Sequence, residues 1–129
     1  MKIIVKLYRV TTIRTAELLA AAGEDPESEM TGTELSQLVK DNFGPLHPTL
    51  QIFYPADTSF RKTVVGMEAM LFDLQDVNIP QSGLIMVDPI SPQDVDRIDG
   101  AVEAELNRMG ISTDFECFEW RMVYQIIGN

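Results

Sequence analysis

The sequence predicts an α+β fold, a small mixed sheet of about four or five strands with helices packed on it; the alternative is an α/β fold with a mainly parallel sheet. Three observations carry this. Segments with period-two apolar alternation stand at both ends of the chain. Between them lie stretches whose apolar residues recur every three or four positions, with helix caps in front and glycines behind. The chain has 129 residues with 45% hydrophobic and 23% charged content, enough for one core without metal or disulfide support. Residues 1–129 therefore read as a single compact domain.

The opening KIIVKLYRV is a strand, with Ile3, Val5 and Leu7 on one face and Ile4 and Tyr8 among lysines on the other. Thr11 and Thr12 are candidate N-caps for a short helix, TIRTAELLAAAG, which Gly23 stops by accepting a left-handed backbone. Residues 24–32 are acidic and hold Pro26, so they form an acidic surface loop. Thr31 and Glu34 have capping-box spacing. The helix they start presents Leu35, Leu38, Val39 and Phe43 on one face, and Gly44-Pro45 ends it. TLQIFYP is a strand with Leu50, Ile52 and Tyr54 on one side, closed by Pro55.

The segment 57–76 is ambiguous. Phe60, Val64, Met67, Leu71 and Leu74 fall at helical steps, whereas KTVV is β-branched and Gly66 interrupts the run. The stripe favours helix over 67–75 and leaves 60–66 open. GLIMVDP reads as a buried strand between Gly83 and Pro89. In SPQDVDRIDGAVEAELNRMG, Ser91 is the N-cap, Pro92 the first helical residue and Asp94 a first-turn acid. Val95, Ile98, Val102, Leu106 and Met109 form the buried stripe, and Gly110 ends the helix. The last strand, FECFEWRMVYQIIGN, holds the only tryptophan, Trp120, and the only cysteine, Cys117. Phe118, Trp120, Met122, Tyr124 and Ile126 share one face, which a fold-closing strand would bury beneath the helices. The opposite face carries Glu119, Arg121 and Gln125 between Cys117 and Val123.

Charge narrows function further. Twenty acids oppose ten bases, and almost all of the excess falls in residues 65–129. A field of that sign disfavours direct nucleic-acid binding and favours a basic protein partner. No apolar run approaches the roughly 20 residues of a membrane span, so no membrane association is expected. The N-terminus lacks a signal-peptide pattern and one cysteine makes no internal disulfide, which together suggest a cytoplasmic protein.

No catalytic, cofactor or metal motif is expected. Asp88, Asp94, Asp96 and Asp99 lack the ligand set of a calcium loop and are better explained as helix-start acids. His47 lies between prolines without an identifiable partner, and Cys117 has no basic neighbour in sequence. Met67, Met70, Met86, Met109 and Met122 fall on apolar stripes and read as core filling. If the order were alternating βα, Asp57, Ser59, Asp88 and Ser91 would gather at strand ends as polar groups of a ligand site.

MKIIVKLY, TGTELSQLVKDNFG, TLQIFYP and VDPIS together resemble the β-grasp sulfur-carrier and ubiquitin-like proteins. That family works through a C-terminal Gly-Gly tail. This chain continues past VDPIS and ends Gly128-Asn129, so the resemblance implies no activity.

The leading expectation is a small acidic, soluble, non-enzymatic interaction or assembly protein. A viral or mobile-element accessory protein fits, as does a charge-mimic inhibitor of a basic partner. The candidate interaction surface comprises Asp96, Asp99, Glu103, Glu116, Glu119, Arg121 and Gln125. The alternatives are a small-ligand binder or enzyme using the strand-end loops, and a structural subunit that associates with itself.

Overall fold

The computed structural model describes residues 2–73, 90–112 and 117–128. The order is β1 (Lys2–Arg14), α1 (Thr15–Ala21), α2 (Gly32–Phe43), β2 (Leu50–Phe53), β3 (Lys62–Asp73), α3 (Pro92–Arg108) and β4 (Glu119–Ile127). Among the described residues the sheet has four strands, in the order β2-β3-β1-β4. Every described pairing is antiparallel, which places the fold in the α+β class and leaves no parallel α/β arrangement among the described residues.

The helices share one face of the sheet. Leu18 and Leu19 from α1, Leu35 and Val39 from α2, and Ile98, Val102 and Leu106 from α3 form one core. They pack with Ile13, Leu50, Ile52, Val65 and Met67 from the strands. The opposite face is partly closed as well: Val10 is fully buried, and Tyr8 meets Phe53 edge-to-face with ring centroids 5.1 Å apart.

Two expectations about local structure are corrected here. Over 67–73, the described part of the expected helix 67–75, the chain is not helical; Lys62–Asp73 is a strand. Its β-branched start suits a pleated sheet, and Gly66 sits directly opposite Val10. A Cβ at Gly66 would lie 2.5 Å from the Arg9 carbonyl oxygen and collide with the Val10 side chain, so the glycine permits the close approach of β1 and β3. A bulge between Leu7 and Tyr8 in the β1–β3 register then breaks strict alternation, which let the sequence mimic a helical stripe. Thr11 and Thr12 are likewise strand residues and not caps, because β1 runs on to Arg14. The α1 helix starts at Thr15, whose hydroxyl donates to the Phe60 carbonyl at 2.9 Å and lies 2.9 Å from the Thr63 hydroxyl. Cross-strand bonds to β3 thus fix where β1 gives way to helix.

The other helix ends follow the sequence. Thr31 and Glu34 form the capping box, and Gly44 closes α2 with φ 66°. Ser91 accepts from the Asp94 N–H, with Pro92 at the helix start. Gly110 follows α3 with φ 82°. The loop 24–31 is tied down at its end: Met30 donates its N–H to Thr58 Oγ1 at 3.0 Å, and Thr58 returns an N–H to the Met30 carbonyl at 2.9 Å. The expected strand at 83–89 lies outside the described residues. No helix among the described residues is long and apolar enough to cross a membrane.

Candidate functional site: the free edge of β4

β4 pairs along one side only. Its register with β1 runs from Lys2 opposite Ile127 to Val10 opposite Glu119, and among the described residues no strand joins its outer side. Among the described residues, the outer backbone N–H and C=O groups of this nine-residue strand therefore have no strand partner.

The side chains of β4 correct the expectation of a fold-closing strand. Its whole length is exposed. The face meant for the core is bare, with Met122 69%, Tyr124 71% and Ile126 59% exposed, and Trp120 39%. Val123 and Ile127, on the other face, are exposed to 38% and 40%. The cause is the placement of α3, which packs over β1 and β3 rather than over β4.

Cover from α3 stops at one cluster. Arg9 projects toward the helices and holds Asp99 of α3 with two bonds, Nε to Oδ1 at 2.9 Å and Nη2 to Oδ2 at 3.3 Å. The same guanidinium lies 4.9 Å from the Trp120 ring centroid and 5.8 Å from that of Phe118. Arg9 and Asp99 side chains are only 16% and 21% exposed. This cluster pins α3, β1 and the start of β4 together, and past it the apolar side chains of β4 emerge into solvent. Arg9 was not foreseen as a site residue; as the one odd-numbered charge on an otherwise apolar face of β1, it carried the signal.

The expected interaction residues are dispersed by this arrangement. Asp99 is spent on Arg9. Asp96 is exposed and Glu103 half-buried on α3. Glu119 and Arg121 pair with each other at 2.8 Å on the outer strand, beside exposed Gln125. Glu116 lies outside the described residues. The last strand of the acidic second half is not itself set among acids, because β4 pairs with the basic strand β1. Together β1 and β4 carry Lys2, Lys6, Arg9, Arg14 and Arg121 against Glu119 alone.

The strand-end residues do not converge. Ser91 is occupied as the cap of α3, its hydroxyl donating to Asp94 Oδ2 at 2.9 Å. Asp57 accepts from the Ser59 hydroxyl and from the Ser59 N–H at 2.9 Å, and these bonds lower its pKa below the ordinary carboxylate value. Asp57 and Ser59 line an open hollow of about 420 Å³ with Glu29, Thr31 and Glu34. Ser91 is not part of it, and Asp88 lies outside the described residues.

The remaining singular residues also find places. His47 is exposed, and its Nδ1 accepts the Thr49 N–H at 3.2 Å, a local turn contact. It borders a hollow of about 490 Å³ with Lys40, Ser36 and Tyr54. Burial raises the Tyr54 pKa above the usual tyrosine value, partly offset by a hydrogen bond with Ser36. Cys117 is exposed on a hollow of about 460 Å³ that Arg14 and Lys62 also line, bases that only the fold brings near it. Arg14 is already paired with Glu17 at 2.8 Å. Among the described residues no three His, Cys, Asp or Glu side chains converge as a metal site would require. Comparison of the chain with protein-family models, with characterised proteins and with solved structures gave no match.

Proposed function

We propose that this protein is a non-enzymatic interaction or assembly protein that works by adding a strand to its sheet at the outer edge of β4. One observation carries the reading: a nine-residue edge strand whose apolar side chains are exposed on both faces. Soluble proteins ordinarily blunt such an edge by shortening it, charging it, adding proline or covering it. β4 has no proline, and its only charges, Glu119 and Arg121, neutralise each other at one end. On the helix-side face Trp120, Met122, Tyr124 and Ile126 together expose roughly 500 Å², taking about 200 Å² for a full large side chain. That is at the upper end for one patch on a monomer and is the size at which patches mark interaction sites. Backbone bonds along the edge would supply affinity, and the apolar side chains on either side would supply fit.

The acidic residues have a supporting role in this reading. Asp94 and Asp96 at the start of α3, and Glu24, Asp25, Glu27 and Glu29 in the loop, are exposed. They keep the chain soluble despite its bare edge, or steer a basic partner toward it. Asp57, Ser59 and Ser91 serve turns and caps.

The test compares the native chain with Met122→Lys/Tyr124→Lys, both exposed positions whose substitution leaves the core intact. Circular dichroism should show the same fold. Association, whether with itself or with a partner retained from lysate at low and high salt, should be lost in the variant. Equal association by the two chains, or none by either, overturns the reading.

A further inference from the structure

We propose that the occupant of the β4 edge is a second copy of this chain, paired antiparallel about Val123 so that the two four-stranded sheets become one. This rests on the reading of β4 as the interaction edge and adds the partner and the register.

Three observations select a second copy. The first is symmetry. A two-fold axis perpendicular to a sheet keeps each face on its own side, so opposed residues must have the same parity. About Val123 the pairs are Met122 with Tyr124, Trp120 with Ile126, Arg121 with Gln125, and Glu119 with Ile127. Apolar residues meet apolar residues along the whole helix-side face, and no like charges are opposed. The Met122, Tyr124 and Ile126 side chains of the two copies then merge into one stripe beside the Arg9–Trp120 cluster of each.

The second is charge. The chain carries net −10, so most faces of two copies repel each other. β4 is neutral and its neighbour β1 has no acid, so this edge is where two copies approach at least electrostatic cost. A basic partner would instead seek the acids of α3 and the 24–32 loop.

The third is extent. Nine residues make an edge of about 30 Å, along which two copies can exchange about eight to ten backbone hydrogen bonds. With side chains meeting laterally on both faces, the contact comes to several hundred Å² per copy. That is below the roughly 800 Å² per partner of a standard interface and belongs to the class of weak, reversible contacts.

Register is tested by charge exchange and by crosslinking. Met122→Lys/Tyr124→Lys places like charges opposite each other twice, whereas Met122→Lys/Tyr124→Glu places opposite charges there. Sedimentation equilibrium should show a dimer for the native chain, a monomer for the first variant and a dimer again for the second. In a Cys117→Ser background, Val123→Cys should give an oxidised covalent dimer, and Ile127→Cys should give none under the same conditions. A native chain that stays monomeric at about 100-fold above micromolar concentration overturns the self-pairing. So does crosslinking through Ile127→Cys in preference to Val123→Cys, which would place the axis elsewhere. A monomeric native chain that nevertheless loses a retained partner in Met122→Lys/Tyr124→Lys overturns the second copy as occupant and leaves the interaction edge standing. If no association of any kind depends on β4, both fail.

Discussion

Replacing Arg9 by Met should cost the fold about 2–3 kcal/mol. The substitution keeps most of the aliphatic stem and removes the guanidinium. Four contacts end with it: two hydrogen bonds to Asp99, at 2.9 and 3.3 Å, and the approach of the cation to the Trp120 and Phe118 rings at 4.9 and 5.8 Å. A fully exposed ion pair contributes about 0–1 kcal/mol, and breaking a fully buried one costs about 3–5 kcal/mol. Arg9 and Asp99, at 16% and 21% side-chain exposure, fall between these limits, nearer the buried one. The ring contacts add about 0.5–1 kcal/mol. Part of the total is the penalty of leaving Asp99 without its partner, so Asp99→Asn alone should cost less, about 1–2 kcal/mol. The cycle of Arg9→Met, Asp99→Asn and the double variant should then show a coupling of about 1.5 kcal/mol. Urea unfolding followed by tryptophan fluorescence reads this directly, because Trp120 is the only tryptophan and lies against the perturbed cation. The coupling should persist in 1 M salt, since partly buried pairs are weakly screened. A coupling below about 0.5 kcal/mol, or one abolished by salt, would refute the view that this cluster fastens α3 and β4 to β1.

Gly66→Ala should destabilise the fold by about 3 kcal/mol or more, because the added Cβ meets the Arg9 carbonyl oxygen at 2.5 Å and the Val10 Cα at 3.0 Å, and backbone gives way less than a side chain; a change under 1 kcal/mol in urea unfolding would contradict that geometry. Thr11→Val should stabilise by about 1 kcal/mol, since the Thr11 hydroxyl is buried without a hydrogen-bond partner and the valine keeps its shape; a lower Tm would show that the hydroxyl has a partner. Tyr54 has a folded-state pKa above its unfolded value of 10.0 through burial, so its contribution is present below pH 10 and is lost as pH rises through the higher folded value. Tyr54→Phe should remove part of that alkaline loss of stability, and ultraviolet titration of the native chain should show a tyrosine ionisation above the unfolded value that Tyr54→Phe lacks.

Much of the fold was legible where local chemistry decides the outcome. The Thr31–Glu34 capping box and the Ser91-Pro92 start of α3 are short-range arrangements, and both stand where the sequence puts them. Of the expected stripe Val95, Ile98, Val102, Leu106 and Met109, the last four are buried and Val95, in the first turn, is half-buried. The failures occur where distant partners decide. Thr15, not Thr11 or Thr12, begins α1 because Phe60, Arg61 and Thr63 hold its hydroxyl and N–H, forty-five or more residues away. Residues 62–73 became strand because β1 lies along them, with Gly66 allowing the approach. Among the described ligand-loop residues, Asp57 and Ser59 share no hollow with Ser91, for a topological reason. Their convergence required parallel strands, and the described sheet is antiparallel.

The candidate site shows the limit of pattern reading most sharply. Alternation along β4 says that one face of the strand is apolar and wants cover; it does not say which molecule supplies the cover. The helices are the obvious source, and α3 does reach as far as Trp120 through Arg9 and Asp99. Beyond that point the same alternation continues into Met122, Tyr124 and Ile126 with nothing from the helices above it. A fold-closing strand and an assembling strand therefore share one sequence signature, and only the position of α3 separates them. Charge behaves in the same way. The acids of residues 65–129 looked like a partner-binding half, yet pairing with β1 puts the last strand in the least acidic part of the sheet. Both shifts move the proposed interaction site in one direction, from the acidic residues to the apolar, neutral edge, where a chain of net −10 would meet its own copy with little charge repulsion.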